Sequence, residues 1–152
     1  TISNCFLQIG AYCRSCELGY WPSPDQTQCQ VQLNYNILVP DASGNALNLY
    51  VSNGNLAAAA APPSGTQDKW VFVRLSNGIY QIVTADGLYG LVAIGNSLVS
   101  QASNPNFDSQ KWYITQNADG NFSFRAFSSN LYISNTAGLS TSIVTIFLVP
   151  PS

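Results

Sequence analysis

The sequence has no histidine and no methionine, and it carries little charge. Five Lys or Arg and seven Asp or Glu make up 8% of the 152 residues, against roughly 25% in an average soluble domain. Without imidazole there is no Ser-His-Asp or Cys-His catalysis and no histidine-bearing metal site. Five scattered cations and a net charge of −2 leave no electrostatic footprint for nucleic acid. Long apolar runs are missing too. The longest, Leu56 to Pro63 and Ile143 to Pro151, fall short of the ~18–20 residues that span a membrane. Disorder is excluded from the opposite side, because 46% of residues are apolar and 12% aromatic. The acids, such as Asp41, Asp86 and Asp119, mostly stand beside Gly, Pro, Ser or Asn, as turn residues do. The chain therefore reads as non-enzymatic, with no cofactor and no metal.

Cysteine is confined to one end, at Cys5, Cys13, Cys16 and Cys29. An even, clustered count reads as a disulfide staple. Zinc would need four suitably spaced ligands, and Cys13-Arg14-Ser15-Cys16 is the one Cys-x-x-Cys present. Oxidised cysteines imply a secreted protein or an extracellular surface. Thr1 is not an initiator Met, and no basic stretch with an apolar core precedes the cysteines. The expectation is that a signal peptide has been removed.

Beyond the cysteines the sequence repeats. Shifted by 42 residues, Leu49 falls on Leu91, Leu56 on Leu98, Pro63 on Pro105, Lys69 on Lys111, Trp70 on Trp112 and Gly78 on Gly120. A third unit matches Leu91 with Ile133, is about ten residues shorter, and ends in Ser142 to Val149 where a third Trp would stand. The boundaries read as a cysteine-rich segment over 1–33 and a repeat domain over 34–152, with units of about 34–77, 78–120 and 121–150. Within the units the pattern is β. Runs such as Trp70 to Leu75 and Phe122 to Phe127 are aromatic or β-branched. Asn53-Gly54, Asn77-Gly78, Asp86-Gly87 and Asp119-Gly120 supply turns between them. Ala57 to Ala61 is stopped by Pro62-Pro63 and reads as strand or loop. Three four-stranded units suggest an all-β protein, a β-trefoil, carrying a small disulfide-stapled N-terminal segment.

Gln110-Lys111-Trp112 resembles the Gln-x-Trp signature of the ricin-B-like lectins, and Gln67-Asp68-Lys69-Trp70 is a looser copy. The resemblance spans about residues 34–150. It implies that Trp70 and Trp112 lie in the trefoil core. It also implies sugar sites that use an Asp just before a core aliphatic residue. The aligned positions here are Asn48, Gly90 and Tyr132, and none is Asp. The first unit is the better remaining candidate, because Asn48, Tyr50, Asn53 and Asn55 group amides with an aromatic ring. The same amides also suit turns.

The spacing Cys5-x7-Cys13-x2-Cys16-x12-Cys29 is similar to one unit of the growth-factor-receptor-like cysteine-rich repeats. That resemblance implies pairing of Cys5 with Cys16 and of Cys13 with Cys29, while four cysteines on their own allow three pairings. Ile2, Phe6, Leu7, Ile9 and Trp21, with Tyr20, are too apolar for an isolated short segment. They need a surface, either the trefoil of the same chain or a neighbouring chain. Asn121-Phe122-Ser123 is an N-glycosylation sequon at Asn121.

Two functions follow as expectations. Low charge gives little repulsion to hold copies apart, and apolar chain ends can add as strands to a neighbour. This points to an extracellular structural subunit that self-associates as a homo-oligomer, into filaments or a surface coat. The alternative is a lectin-like module with glycans as partners.

Overall fold

A computed structural model describes residues 1–136 and 138–151. Among the described residues the regular structure is strand throughout, apart from one 3₁₀ turn at Asp108–Gln110. Among the described residues no helix is long and apolar enough to cross a membrane. The N-terminal unit is two hairpins, β1 (Cys5–Ile9) with β2 (Tyr12–Cys16) and β3 (Tyr20–Pro22) with β4 (Cys29–Val31). Three groups of four strands follow. The first is β5 (Asn36–Pro40), β6 (Ala46–Ser52), β7 (Asn55–Ala59) and β8 (Trp70–Ser76). The second is β9 (Ile79–Thr84), β10 (Tyr89–Ile94), β11 (Ser97–Ala102) and β12 (Lys111–Gln116). The third is β13 (Phe122–Ala126), β14 (Tyr132–Ile133), β15 (Leu139–Ser140) and β16 (Phe147–Val149).

The first and last strands of each group close a six-stranded barrel. β5 and β8 meet at the Tyr35–Trp70 bridge, and β8 pairs with β9. β9 pairs with β12 and β12 with β13. β13 and β16 meet at the Phe122–Ile146 bridge, and β16 pairs with β5. Closure leaves the barrel no free edge. The middle strands of each group form hairpins, and the tips of the first two rest on the next group. Ser100 Oγ donates to Gly54 O at 3.0 Å, and the Leu139 amide donates to Asn96 O at 2.8 Å. Asn53 and Gly54, at φ 51° and 78°, make the tight turn between paired Ser52 and Asn55. This architecture is the β-trefoil expected from the repeat.

Trp70 and Trp112 are in the core, fully buried. The Trp70 indole donates to Leu49 O at 3.0 Å and the Trp112 indole to Leu91 O at 3.1 Å, each across 21 residues. Leu49, Leu91 and Ile133 are buried at equivalent positions, each contributing about 1.5–3 kcal/mol of transfer free energy. Ile146 takes the place of the third Trp, bridging Phe122 as Trp70 bridges Tyr35. The short third unit leaves no gap in the barrel. Its missing residues come out of the hairpin, where β14 and β15 are two residues each. Phe147–Val149, in the apolar run Ile143 to Val149, is the last trefoil strand and pairs with β5 of its own chain.

The N-terminal unit lies on its own trefoil. Tyr35 Oη accepts from the Gly19 amide at 2.9 Å and donates to Tyr20 O at 3.3 Å. Gln116 Nε2 donates to Cys16 O at 2.9 Å and to Gly120 O at 3.0 Å. Leu18 packs against the core. Ser15 sits over Gly120 so closely that a Cβ there would stand 2.7 Å from Ser15 Cβ.

The disulfides are Cys5–Cys13 and Cys16–Cys29, which corrects the pairing implied by the cysteine-rich repeat. The ladder does set Cys5 opposite Cys16, but Phe6 and Arg14 are both skipped in its register. These irregularities let Cys5 join Cys13 within the first hairpin, while Cys16 ties that hairpin to β4. The four sulfurs form one cluster, with Cys13 Sγ 3.4 Å from Cys29 Sγ and 3.8 Å from Cys16 Sγ. Each closed loop contributes about 2–4 kcal/mol to a unit with almost no core of its own.

Candidate functional site

The exposed apolar surface is concentrated on the N-terminal unit. Of twelve large apolar side chains that are exposed, six lie there: Phe6, Ile9, Tyr12, Trp21, Val31 and Leu33. Two-stranded hairpins lying on a barrel have one inner side, so the other must face out. Phe6, Ile9 and Trp21 were legible in the sequence, and Ile2 and Leu7 prove half-buried. Tyr12, Val31 and Leu33 were missed, although Val31 and Leu33 alternate with Gln30, Gln32 and Asn34. β1 pairs with β2 alone, and its Cys-Phe-Leu-Gln-Ile sequence holds none of the Lys, Pro or charge that blocks strand addition.

Between this unit and the barrel runs a cleft of about 140 Å³. Arg14, Glu17, Tyr20 and Trp21 line one wall, and Asn121 and Phe147 line the other. The Phe122–Ile146 bridge sets Asn121 across the ladder from Phe147. A turn fixes Asn121: the Asn117 amide donates to Asn121 O at 2.7 Å, and the Asn121 amide donates to Asp119 Oδ1 at 2.9 Å.

The four residues read as a sugar site in the first unit separate into two pairs. Asn48 and Tyr50 share one face of β6, with Leu49 and Val51 buried on the other. Asn53 and Asn55 belong to the turn at the far end of the hairpin. Asn48 and Asn55 stand four ladder steps apart, roughly 13 Å at ~3.3 Å per residue. The Asn48 amide is spent inside the protein, its Oδ1 accepting from Asn36 Nδ2 and its Nδ2 donating to Ala60 O, both at 3.1 Å. In the second unit Gly90 is required by packing. A Cβ there would lie 2.9 Å from Gln110 Oε1. Gln110 is fully buried, and its Oε1 accepts from the Asn104 amide at 2.8 Å and from Gln81 Nε2 at 3.1 Å. In the third unit Tyr132 faces Arg125 across the ladder, and the Arg125 guanidinium lies 4.2 Å from the Tyr113 ring centroid.

Asp25, Asp41, Asp86 and Asp119 serve turns. Asp86 accepts from Thr84 Oγ1 at 2.6 Å, Gln67 Nε2 at 2.8 Å and the Leu88 amide at 3.0 Å. The Thr84 hydroxyl above all holds its carboxyl below the usual range. The Asn45 amide does the same for Asp41, and the Thr27 hydroxyl for Asp25. Burial pushes the Tyr35 hydroxyl up to about 12.

No protein-family model and no curated protein matches the sequence. Among solved structures the chain is similar to ThreeFoil, a designed threefold-symmetric protein, at 24% identity and a TM-score of 0.53, over 78% of this chain and 90% of that one. It is similar to SeviL, solved bound to asialo-GM1 saccharide, at 12% identity and a TM-score of 0.63, over 80% of this chain and 100% of that one. The BEL β-trefoil matches at 11% identity and a TM-score of 0.59, over 77% of this chain and 92% of that one. What the likeness establishes at these identities is the fold, a β-trefoil.

Proposed function

We propose that the chain is a non-enzymatic extracellular subunit that self-associates through the outer face of its N-terminal unit. The observation that carries this reading is that Phe6, Ile9, Tyr12, Val31 and Leu33 are exposed on one small unit that also has an uncharged strand with a free edge. A second copy is the occupant that suits it. Both surfaces are apolar, and twelve charges in the whole chain oppose the contact weakly. Two copies that meet face to face close a dimer, whereas copies that meet head-to-tail without closing produce a filament. The two disulfides suit an extracellular setting.

The test is light scattering with electron microscopy on the oxidised full chain at neutral pH. Regular assemblies without added ligand are expected. Val31→Lys with Leu33→Lys, at two exposed positions, should dissolve them and leave thermal unfolding unchanged. A monodisperse 16.3 kDa monomer would overturn the reading.

Glycan binding is the second reading. Its support is the fold shared with SeviL, which was solved with a saccharide, and the Tyr113, Arg125 and Tyr132 cluster on the third unit. A glycan array on the monomeric Lys variant tests it, with Tyr50→Ala and Arg125→Ala reporting on the first and third units.

A further inference from the structure

We propose that Asn121 carries an N-linked glycan whose first sugar lies in the cleft between the N-terminal unit and the barrel, against the Phe147 ring. The sequon Asn121-Phe122-Ser123 is the starting point, and the structure adds the geometry. Asn121 is half-exposed on the rim of the cleft, directly after the Asp119-Gly120 turn. Across the ladder stands Phe147, 41% exposed. Trp21, 37% exposed, and Tyr20 form the facing wall. An aromatic face is apolar and flat, and the C–H face of a hexosamine ring stacks on it while the hydroxyls stay free for polar partners. Arg14 and Glu17 at the same mouth supply those partners. A cleft of about 140 Å³ takes the first sugar and leaves the rest of the glycan in solvent.

The third sequon residue sets the timing. Ser123 is buried, with its Oγ 3.5 Å from Asn117 Oδ1. A transferase that reads this hydroxyl must act before the barrel closes, on the chain during export. In that step Asn121 Nδ2 attacks the anomeric carbon of a lipid-pyrophosphate-linked oligosaccharide. A C–N bond forms, the anomeric C–O bond breaks, the amide nitrogen loses a proton and the lipid pyrophosphate leaves. The donor and the transferase belong to the exporting cell, so the proposal rests on the extracellular part of the reading above and not on self-association. Its consequence is mechanical. A sugar that touches Phe147 on the barrel and Trp21 on the N-terminal unit holds the two together, and the exposed Val31 and Leu33 stay bare.

The experiment expresses the full chain behind an added export leader in a glycosylating eukaryotic host, which makes it independent of where the chain normally resides. Peptide mass spectrometry should find Asn121 modified, and Asn121→Gln should remove the modification. Trimming to one GlcNAc should leave hydrogen exchange of residues 12–22 unchanged. Complete removal, or Asn121→Gln, should speed that exchange about threefold to tenfold. An exported, disulfide-bonded chain with bare Asn121 would overturn the site. A modified Asn121 with exchange indifferent to the sugar would overturn its place in the cleft.

Discussion

Replacing Gly120 by Ala should detach the N-terminal unit while sparing the barrel. Two costs arise at this position. Gly120 has φ +89°, where an L side chain is strained by about 1–2 kcal/mol. A Cβ would also collide with Ser15, whose own Cβ lies 2.7 Å away and is fixed by the β1–β2 backbone. The hairpin must then lift, and with it goes the Gln116–Cys16 hydrogen bond, worth about 0.5–1.5 kcal/mol. The protein contains its own control. Gly44 has the same φ of +89° with nothing near its Cβ. Its turn is the same as well: the Gly44 amide donates to Asp41 O as that of Gly120 donates to Asn117 O, and the flanking Asp41 and Asn117 amides donate to Asn45 O and Asn121 O. Gly44→Ala therefore reports strain alone. The difference between the two variants is the docking contact, about 1–2 kcal/mol, which opens the N-terminal unit roughly 5–30-fold more often. Hydrogen exchange of residues 12–17 measures this directly, with β9 and β12 amides as the barrel reference. Ser15→Gly in the Gly120→Ala background removes the collision and should restore most of the protection. Equal exchange in Gly44→Ala and Gly120→Ala, or no rescue by Ser15→Gly, would refute the argument that this contact seats the unit.

Two further predictions concern the barrel. Trp70→Phe and Trp112→Phe each leave a buried carbonyl, Leu49 O or Leu91 O, without its indole donor. Each should cost about 2–3 kcal/mol and lower Tm by about 4–12 °C, the two sites agreeing within about 1 kcal/mol; calorimetry in which only one matters would contradict their equivalence. The second is a pH profile of denaturant stability. The unfolded chain ionises Tyr35 near 10 and the folded chain near about 12, so stability should fall as pH rises between those values, and Tyr35→Phe should flatten that limb. At the acid end Asp25, Asp41 and Asp86 titrate below 3.8 when folded. Their contribution is present above the unfolded carboxylate range and is lost as pH falls through the depressed values; a flat acid limb would count against these turns.

The fold was legible because the same physical demand recurs. Each full unit needs one large side chain to fill the barrel and one carbonyl to accept its indole, so Trp70 and Trp112 repeat in register with Leu49 and Leu91. The third unit meets the demand with Ile146, which no Trp search could find, and absorbs its deletion in a two-residue hairpin. The disulfide pairing was not legible. Four sulfurs within one cluster offer several pairings, and a skipped residue on each strand chooses among them. The proposed sugar residues were grouped by closeness in sequence. A hairpin, however, separates what sequence joins, leaving Asn48 and Asn55 at opposite ends of β6 and β7. Gly90 looked like a lost ligand and is instead room for Gln110. That relation spans 20 positions and exists only after the 3₁₀ turn at Asp108–Gln110 has swung the amide inward.

The proposed interaction falls on the part of the molecule with the least core. A barrel closed through six strands has satisfied its own backbone and can add nothing. Its surface carries too few charges for long-range steering. The N-terminal unit differs on both counts. It is too small to bury both faces of its hairpins, so it keeps its shape through two disulfides, the Tyr35 hydroxyl and the close seat at Gly120. Because those devices fix it from below, the outer face is left apolar without the unit collapsing. Stapling from one side is what permits a free, uncharged strand on the other. The proposed assembly through β1 would ask nothing of the trefoil except that it hold Ser15 and Cys16 in place.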